Sequence, residues 1–525
     1  MHISVLSKNY HIHTLIIGGG HCGVNLGCWL EERLQKKQDN EGGSGHTYQI
    51  LDDSIFPSYL IVEQSNQLLH QWKEHRWDDF QLNTQHGCSL LHGQPVDDEI
   101  DGVVIPSDSV GKNFSQQVKA WDRHIAKMNL RHCTNQRVVS IQQRTHHNDD
   151  DDDDDRHHQE TNGHQKVVYR PHRRFLVTLE TTRAGSDAPA TTSTLTCTNV
   201  VVCTGQFAKP HIPNVAQDVP PSVRNLHSRD FKSPDQFPID QGAVLVVGSG
   251  QSGAQIADLL ADSGRKVLLC TSKMSGIGRT FRQEDIYHWF SRLGILGMTN
   301  EERLQRFPPE RAQEIKYQKK AMLGADKSIS YFSLHRKGVK ILGGLDRLTV
   351  MDASVTSKTQ NEKVSSSNVV LQLKSNRMEN VKKSYESFQY FQNILRDWVA
   401  KQPADYQAGL GPDTQDPDWI PEVELLESDG PSELSFQGIQ AIIWCTGYSA
   451  DFSFLQDLPL ALEHDFDPIS LRPDRLSSSV IPGLYYSGFP WVHHIQSMNL
   501  VGFDRDHELL VNMMMQEERQ ADVKK

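Results

Sequence analysis

Two stretches of the chain share one pattern, an apolar run followed by a glycine-rich turn and a segment with helical spacing. The first extends from His13 to about Leu34 and the second from Ala243 to about Ala257. Both turns have the form G-x-G-x-x-G, with glycines at Gly18, Gly20, Gly23 and at Gly248, Gly250, Gly253. Each stretch therefore predicts a β-strand, a tight turn and an α-helix.

The glycines of such a turn have separate roles at a dinucleotide site. The first permits the tight bend, the second lets the backbone approach a pyrophosphate, and the third allows the helix to pack closely on the strand. The helix N-terminus, which begins with Gln251 and Ser252 in the second copy, adds unpaired N–H groups and a positive dipole end. One such turn is a weak signal, but two copies predict two dinucleotide sites.

An acidic residue distinguishes the first site. Tyr59–Glu63 has the composition of a strand that ends in Glu63, a carboxylate suited to a ribose with a free 2′-hydroxyl, as in FAD or NAD. Glu63 lies far beyond Gly20, and the polar stretch 36–57 accounts for the extra length as an insertion. The sequence therefore predicts that Glu63 helps to bind FAD.

The second site lacks the corresponding acid. The strand-like segment 266–272 ends without a carboxylate, and three cations follow it, Lys273, Arg279 and Arg282. Cations in place of the acid favour a ribose 2′-phosphate, so we predict NADPH rather than NADH. The alternative is an ordinary basic loop.

The remaining pattern predicts an α/β fold with two Rossmann-like domains, the NADPH domain being inserted into the FAD domain. Two strand-like segments end in Cys-Thr-Gly, at Thr204-Gly205 and at Thr446-Gly447, as expected where the chain crosses between domains. We predict an FAD-binding domain over 1–237, an NADPH-binding domain over 238–435, and a return segment of the FAD domain over 436–525. Helical spacing predicts a helix over 381–399 and a terminal helix over 499–519.

Composition narrows the class of protein. The chain has 525 residues and a net charge of −12, and seven of the negative charges form the block Asp149–Asp155. An acidic balance argues against nucleic acid as a partner. No apolar run is long enough to span a membrane, and no leader pattern is visible, so we expect a soluble cytoplasmic protein.

Two features bear on metals. The stretch 145–165 combines the aspartate block with several histidines, and its charge density predicts a disordered surface loop rather than a metal site. The eight cysteines are scattered without a C-x-x-C pair, which favours neither a disulfide framework nor a zinc site. From the sequence we predict no metal site.

An ordered series of motifs resembles the flavin-containing monooxygenases, the class B single-component flavoprotein monooxygenases. Beyond the two glycine turns, the series comprises Trp72–Asp78, Asp79–Thr84, Leu226–Phe231, Cys445–Tyr448 and the Gly-Leu-Tyr block that leads to Gly488. The fingerprint around His227 departs from the family pattern, because it lacks the opening Phe-x-Gly and a closing Trp. This departure weakens assignment to the Baeyer–Villiger subgroup.

The resemblance implies FAD and NADPH as cofactors, with O2 and a small organic molecule as substrates. Its mechanism would proceed through a C4a-hydroperoxyflavin that oxygenates an amine, a sulfide or a carbonyl. Asn83, from the family Asn-Thr pair, is the expected catalytic residue, and a turn-capping role is its alternative. The cofactor contacts that the resemblance adds are Trp72, Arg76, Trp77, Thr204, Gly205, Thr446, Gly447 and Gly488.

Several roles remain open from the residues. Trp77 fits packing as well as flavin contact, His227 fits a structural role between the domains, and the substrate pocket is expected over 285–323 and the C-terminal block. An NADPH oxidase that releases hydrogen peroxide and a non-catalytic nucleotide-binding regulator are alternative functions. A disulfide reductase is disfavoured because Cys22 and Cys28 have the wrong spacing on one helix.

Overall fold

The fold is built around two β-sheets, and each sheet contains the strand that leads into one of the glycine turns. The computed structural model describes residues 11–41, 58–96, 99–100, 103–104, 114–144, 156–161, 164–169, 174–181, 190–317, 321–350 and 369–523. The strands of the two main sheets are β1 (His11–Ile17), β2 (Tyr59–Val62), β3 (His132–Cys133), β4 (Gln136–Gln143), β5 (Phe175–Thr181), β6 (Thr192–Val202), β7 (Arg224–His227), β8 (Ala243–Val247), β9 (Val267–Cys270), β10 (Lys340–Leu342), β11 (Ile439–Trp444) and β12 (Leu484–Tyr486).

The first sheet has the strand order β3-β2-β1-β6-β5-β4, and β12 pairs with the distal end of β6. Strands β3, β2, β1, β6 and β12 run parallel, whereas β5 pairs antiparallel with both of its neighbours, β6 and β4. Its central strands are buried on both faces, as their continuous apolar runs require. Because β12 comes from the C-terminal part of the chain, the predicted return to the first domain is present.

The second sheet is fully parallel, with the order β7-β11-β8-β9-β10. Strands β7 and β11 lie outside the range 238–435, so the predicted boundaries of the second domain are too narrow on both sides. The error has a physical cause in β7, since Arg224-Asn-Leu-His carries little apolar character and forms a strand only through its pairing with β11. The α/β class with an inserted second domain is confirmed.

Helices cover both sheets and fill the connections. They are α1 (His21–Glu41), α2 (His70–Glu74), α3 (Phe114–Met128), α4 (Gln251–Asp262), α5 (Ile286–Arg292), α6 (Asn300–Arg306), α7 (Pro309–Tyr317), α8 (Tyr331–Arg336), α9 (Arg377–Ala400), α10 (Ala404–Ala408), α11 (Val423–Glu427), α12 (Pro459–His464) and α13 (Phe503–Val523). Helix α9 confirms the prediction for 381–399 and buries Val381, Phe388 and Leu395 at the expected spacing. No helix among the described residues has the length and apolarity to cross a membrane.

Short pairings complete the described structure. A three-stranded antiparallel sheet is formed by Leu345–Val350, Val369–Leu373 and Glu433–Ser435. Three of the two-stranded pairs are Glu99–Ile100 with Val103–Val104, Thr280–Phe281 with Glu284–Asp285, and Phe466–Asp467 with Arg472–Pro473.

The stretch 145–165 requires a correction. Arg156–Thr161 pairs antiparallel with His164–Tyr169, so this part forms a hairpin rather than the predicted disordered loop. Pairing supplies backbone hydrogen bonds that do not depend on a buried apolar face, and Val167 and Val168 have high strand propensity. The aspartate block 149–155 lies outside the described residues.

The two chain crossings lie side by side. Lys209–Pro210, after the first crossing, pairs antiparallel with Tyr448–Ser449, after the second. Thr446 Oγ1 donates a hydrogen bond to the His211 carbonyl, and the His211 N–H donates to Gly447 O at 2.9 Å. These bonds join the two linkers into one connection between the sheets.

Candidate active site

The first glycine turn joins β1 to α1 with an open space at its centre. Gly18 has φ +110°, and a Cβ at that position would lie 2.7 Å from the Cys203 carbonyl oxygen. A Cβ on Gly23 would lie 2.0 Å from Gly18 O, whereas a Cβ on Gly20 would meet no atom within 4 Å. Gly18 and Gly23 are thus required by the turn itself, and Gly20 leaves room for a ligand at the start of α1.

Glu63 fixes the same turn from the end of β2. Its carboxylate accepts hydrogen bonds from the Gly19 N–H at 2.7 Å and from the Ser65 N–H at 2.8 Å. The side chain is buried, with 9% of its surface exposed. Each carboxylate oxygen keeps a further lone pair, so Glu63 can hold the turn and still accept a hydroxyl.

The second turn repeats this geometry between β8 and α4. Gly248 has φ +100°, and its added Cβ would lie 2.6 Å from the Cys445 carbonyl oxygen. A Cβ on Gly253 would lie 1.9 Å from Gly248 O, and a Cβ on Gly250 would again meet nothing within 4 Å. The two turns therefore present the same opening, with Gln251 and Ser252 in the first turn of the second helix.

Hydroxyl groups stand where the first site has its carboxylate. Pairing places Cys270 beside Val247 as Val62 lies beside Ile17, so Thr271 occupies the position of Glu63. Nearby, Ser249 Oγ lies 3.0 Å from Ser272 Oγ and 2.6 Å from Tyr331 Oη. Burial raises the pKa of Tyr331 to about 12, which keeps this hydroxyl network neutral. Sequence reasoning looked for an acid or a cation here and missed the hydroxyls.

The three cations that were expected beside the second ribose have different surroundings. Lys273 lies three residues beyond β9 and is exposed, with its Nζ 3.2 Å from Glu379. Arg282 is half-buried and donates to Gly411 O at 3.3 Å. Of the three, only Lys273 reaches solvent freely at the end of the second strand.

Arg279 requires a correction. Its side chain is 3% exposed and lies 2.6 Å from Asp285 through Nη2, while Nη1 donates to the Asn83 carbonyl at 2.9 Å. Removing this guanidinium from its carboxylate would leave a buried charge unpaired. A 2′-phosphate role for Arg279 therefore does not fit, and the residue instead ties the second domain to Asn83.

Asn83 lies at the junction of the two domains. Its Oδ1 accepts a hydrogen bond from Gln255 Nε2 at 3.0 Å, and Gln255 lies one turn along the helix that starts at the second glycine turn. Gln255 also donates to Leu323 O at 2.9 Å. Within the described residues the Asn83 Nδ2 makes no hydrogen bond, so the amide can donate to a bound molecule. Its contacts are those of a residue between domains rather than of a turn cap.

The aromatic residues after the acid form a ladder around one arginine. The Arg76 guanidinium carbon lies 4.6 Å from the Trp72 ring centre and 5.2 Å from that of Phe80. Burial lowers the pKa of Arg76 to about 10. Trp77, only 8% exposed, points instead into the second domain and packs on Phe80 and Phe231. Trp77 therefore packs between the two domains, and its cofactor contact stays a prediction.

The crossing residues surround the two turns. The Thr204 hydroxyl is buried beside Gly18 without a hydrogen-bond partner among the described residues. Gly205 and Gly447 have left-handed backbones, with φ of 64° and 89°. His227 Nε2 lies 3.0 Å from Gly447 O and burial lowers its pKa, which matches the structural role expected of it.

A thiol cluster that sequence reasoning missed lies at the start of α1. Cys22 Sγ is 3.3 Å from Ser487 Oγ and 3.6 Å from His507 Nε2. Burial acts to raise the pKa of Cys22, but hydrogen bonds with Cys203 and His507 outweigh it and lower the pKa to about 6. Gly488, with φ 83°, allows this close approach, because a Cβ there would lie 2.9 Å from the sulfur. The contact with Cys22 therefore accounts for a glycine at position 488 even if no cofactor touches it.

The segments named for the substrate pocket touch each other. Thr299, before α6, forms a bridge with His494 of the return segment. The Asn300 N–H donates to His493 O at 3.0 Å, and the Ile495 N–H donates to Met298 O at 2.9 Å. The helical insert (residues 285–323) is therefore attached to the C-terminal block.

Parts of the chain are similar to known monooxygenases and oxidoreductases. A family model described as L-lysine 6-monooxygenase/L-ornithine 5-monooxygenase matches residues 162–289. CzcO of Bacillus subtilis (strain 168), an uncharacterized oxidoreductase, is 24% identical over 283 residues, covering 54% of this chain and 61% of that protein. Dimethylaniline monooxygenase (N-oxide-forming) 4 of Homo sapiens is 41% identical over 78 residues, covering 14% of this chain and 13% of that protein. Over these segments the chain is similar to the flavin-containing monooxygenase family.

The fold agrees with a solved member of that family. The structure of a flavin-containing monooxygenase from Stenotrophomonas maltophilia aligns with a TM-score of 0.50 at 15% identity, covering 96% of this chain and 98% of that one. The alignment with CzcO spans about three fifths of its length. Members of the family use FAD and NADPH.

The residues present fit these two cofactors. The opening at Gly20, with Glu63 beside it and the unpaired Thr204 hydroxyl nearby, suits FAD, whose ribose has a free 2′-hydroxyl. The opening at Gly250, with hydroxyls in place of the acid and Lys273 beyond them, suits NADPH. Repulsion from a carboxylate, which would oppose a 2′-phosphate, is absent at the position of Thr271.

Proposed function

We propose that this chain is an FAD-dependent, NADPH-using monooxygenase that oxygenates a small organic nucleophile. The observation that supports this most is the pair of matching glycine turns with Asn83 at the junction between their domains. When bound, the cofactors supply the redox chemistry, in which NADPH reduces the flavin and the reduced flavin reacts with O2. The protein supplies position, exclusion of water and hydrogen bonds.

The contacts of Asn83 suggest its part in the reaction. Gln255 and Arg279 hold its Oδ1 and its main-chain carbonyl, both from the NADPH side, so the free Nδ2 is fixed in direction. A fixed amide donor stabilises negative charge that develops on a neighbouring oxygen better than water does, because it needs no reorganisation. We assign Asn83 Nδ2 to hydrogen-bonding the reacting oxygen or the nicotinamide amide.

For the substrate, N-oxygenation of an amine is our first choice. The matching family model is named for lysine and ornithine oxygenation, and the human relative is named for N-oxide formation. A sulfide or a carbonyl is the next class to test. Screening NADPH oxidation by the flavinated protein against amines, sulfides and ketones, with peroxide measured in parallel, separates these classes.

An NADPH oxidase is the second candidate, because it would use the same two cofactor sites and the residues alone do not separate the two functions. We expect oxygenated product to match the NADPH consumed once the correct substrate class is present. Stoichiometric hydrogen peroxide with every substrate class would identify an oxidase instead. A purified protein that binds no flavin would contradict both and favour a regulator.

A matched pair of variants tests the role of Asn83. Asn83→Ala removes the amide, whereas Gln255→Ala removes only its partner on α4 and leaves the amide in place. If the amide acts on the reaction, Asn83→Ala should lower product formation on the order of 100-fold, with flavin still bound and with more peroxide per NADPH. Equal effects of the two variants would mean that Asn83 only joins the domains.

A further inference from the structure

Three side chains of the C-terminal segment, which the proposed reaction does not use, lie close together. His493 Nδ1 lies 2.8 Å from Asp506 Oδ1, and His494 Nε2 lies 3.1 Å from the same oxygen. The two imidazole rings are 5.3 Å apart and nearly perpendicular, at 80°. One donor atom from each residue lies within 4.8 Å of the others. We call these three residues the terminal cluster.

The carboxylate of the terminal cluster is incompletely satisfied. The Asp506 side chain is fully buried, and its Oδ1 receives both imidazoles. Its Oδ2 is also buried and lacks a hydrogen bond of ordinary geometry among the described residues, where the Ser497 hydroxyl is the nearby donor to this carboxylate. A buried carboxylate oxygen without a partner costs free energy unless a cation or a donor compensates it. A cation shared with the two imidazoles would complete the compensation of this buried carboxylate.

The spacing of the donor atoms matches that of metal ligands. Nitrogen and oxygen ligands bind zinc at roughly 2.0–2.2 Å in a tetrahedron, which places neighbouring ligand atoms about 3.3 Å apart. The two observed separations, 2.8 Å and 3.1 Å, are within a few tenths of an ångström of that value. Two imidazoles and one carboxylate also form a donor set that suits zinc, iron and nickel.

The backbone of the two histidines is already held in place. Ser497 Oγ accepts hydrogen bonds from the His493 N–H at 3.3 Å and from the His494 N–H at 2.9 Å. Asp506 lies in the first turn of α13, so its position is set by that helix. Little rearrangement is then required for the three side chains to share an ion.

We propose that His493, His494 and Asp506 bind one divalent transition-metal ion, with zinc as the expected ion. The half-buried His493 is the most exposed of the three ligands, and water completes the coordination. Through the bond from the Asn300 N–H to His493 O, the ion fixes the helical insert to α13. This assignment does not depend on the proposed monooxygenase activity.

Ion binding requires one exchange of hydrogen bonds. The Gln496 N–H lies 3.2 Å from His494 Nδ1, so without an ion the His494 proton is on Nε2, near Asp506 Oδ1 and Gly502 O. When an ion binds Nε2, that proton moves to Nδ1. Nδ1 can then no longer accept from the Gln496 N–H, so the 3.2 Å hydrogen bond is lost. If the proton-bridged arrangement is preferred, zinc will not bind, and this is the principal competing outcome.

The test is a zinc titration of the flavinated, metal-depleted protein against a chromophoric chelator. A variant with Asp149–Asp155 replaced by serines is used as the parent, because the aspartate and histidine stretch of the sequence is a second source of weak metal binding. We expect one tight equivalent of zinc per chain. Absence of a tight equivalent in this parent overturns the proposal.

Three variants localise the ion. Asp506→Asn and His493→Gln should each weaken zinc binding by more than the roughly 10- to 100-fold that loss of an outer hydrogen-bond partner costs. His92→Gln is the matched control, because His92 is similarly buried and pairs with Glu32 and Asp504, but among the described residues this trio does not have the spacing of metal ligands. We expect wild-type affinity in His92→Gln, and an equal loss there overturns the assignment.

A spectroscopic measurement keeps the test decisive if the fully buried Asp506 tolerates no substitution. Cobalt in a site with imidazole and carboxylate ligands absorbs at longer wavelengths than the flavin. We expect this absorption in the parent and its loss in His493→Gln, whose side chain is half-buried. Unchanged absorption in His493→Gln would show that the ion lies elsewhere.

Discussion

Alanine at Gly20 should abolish flavin binding and leave the fold intact, whereas alanine at Gly23 should lower the stability of the fold. A Cβ at Gly23 would lie 2.0 Å from a backbone oxygen, and real contacts of this kind are not shorter than 3.0 Å, so the turn and α1 must separate by at least 1.0 Å. Because both partners are backbone, we expect the upper end of the overpacking range, about 3 kcal/mol. For a domain of about 150–250 residues this corresponds to a midpoint lower by about 6–12 °C.

Gly20→Ala should leave the fold intact, since its Cβ meets no atom within 4 Å and its backbone is not left-handed. The same Cβ occupies the space through which a pyrophosphate approaches, so the variant should purify without flavin. The assay combines the flavin-to-protein absorbance ratio with thermal unfolding, and flavin-depleted wild type is the stability reference because bound FAD itself stabilises. Full flavin content in Gly20→Ala, or wild-type stability in Gly23→Ala, would refute the reasoning.

Two further predictions concern cofactor choice. Lys273→Ala should raise the KM for NADPH much more than that for NADH, whereas Lys383→Ala, which removes the other lysine paired with Glu379, should change neither; equal shifts for both cofactors would remove the 2′-phosphate argument. Glu63→Gln should weaken FAD retention, because the two carboxylate oxygens accept from the Gly19 N–H and the Ser65 N–H, whereas an amide has only one oxygen that can accept from these groups and from a ribose hydroxyl. A variant that retains FAD as wild type does would show that Glu63 serves only the turn.

The parts of the site that were predictable from sequence depend on short-range pattern. Gly18, Gly20 and Gly23 act within one turn, so their spacing alone indicates the geometry. Glu63 was predictable because the end of a strand next to such a turn has a known role.

The parts that were not predictable depend on contacts between distant segments. Arg279 looked like a phosphate ligand from its position in the sequence. In the folded chain it is buried, where it pairs with Asp285 and donates to the Asn83 carbonyl. Ser272 and Tyr331 are far apart in sequence and form one network only in the folded chain. His493 and Asp506 lack any recognised metal-ligand spacing, and the turn that precedes α13 brings them together.

The most direct test of the central claim is the fate of isotopically labelled O2 during NADPH-dependent turnover with an amine substrate. The account predicts one labelled oxygen atom in the amine product for each NADPH oxidised. An unlabelled or unmodified amine, with all of the label recovered in hydrogen peroxide, would contradict it.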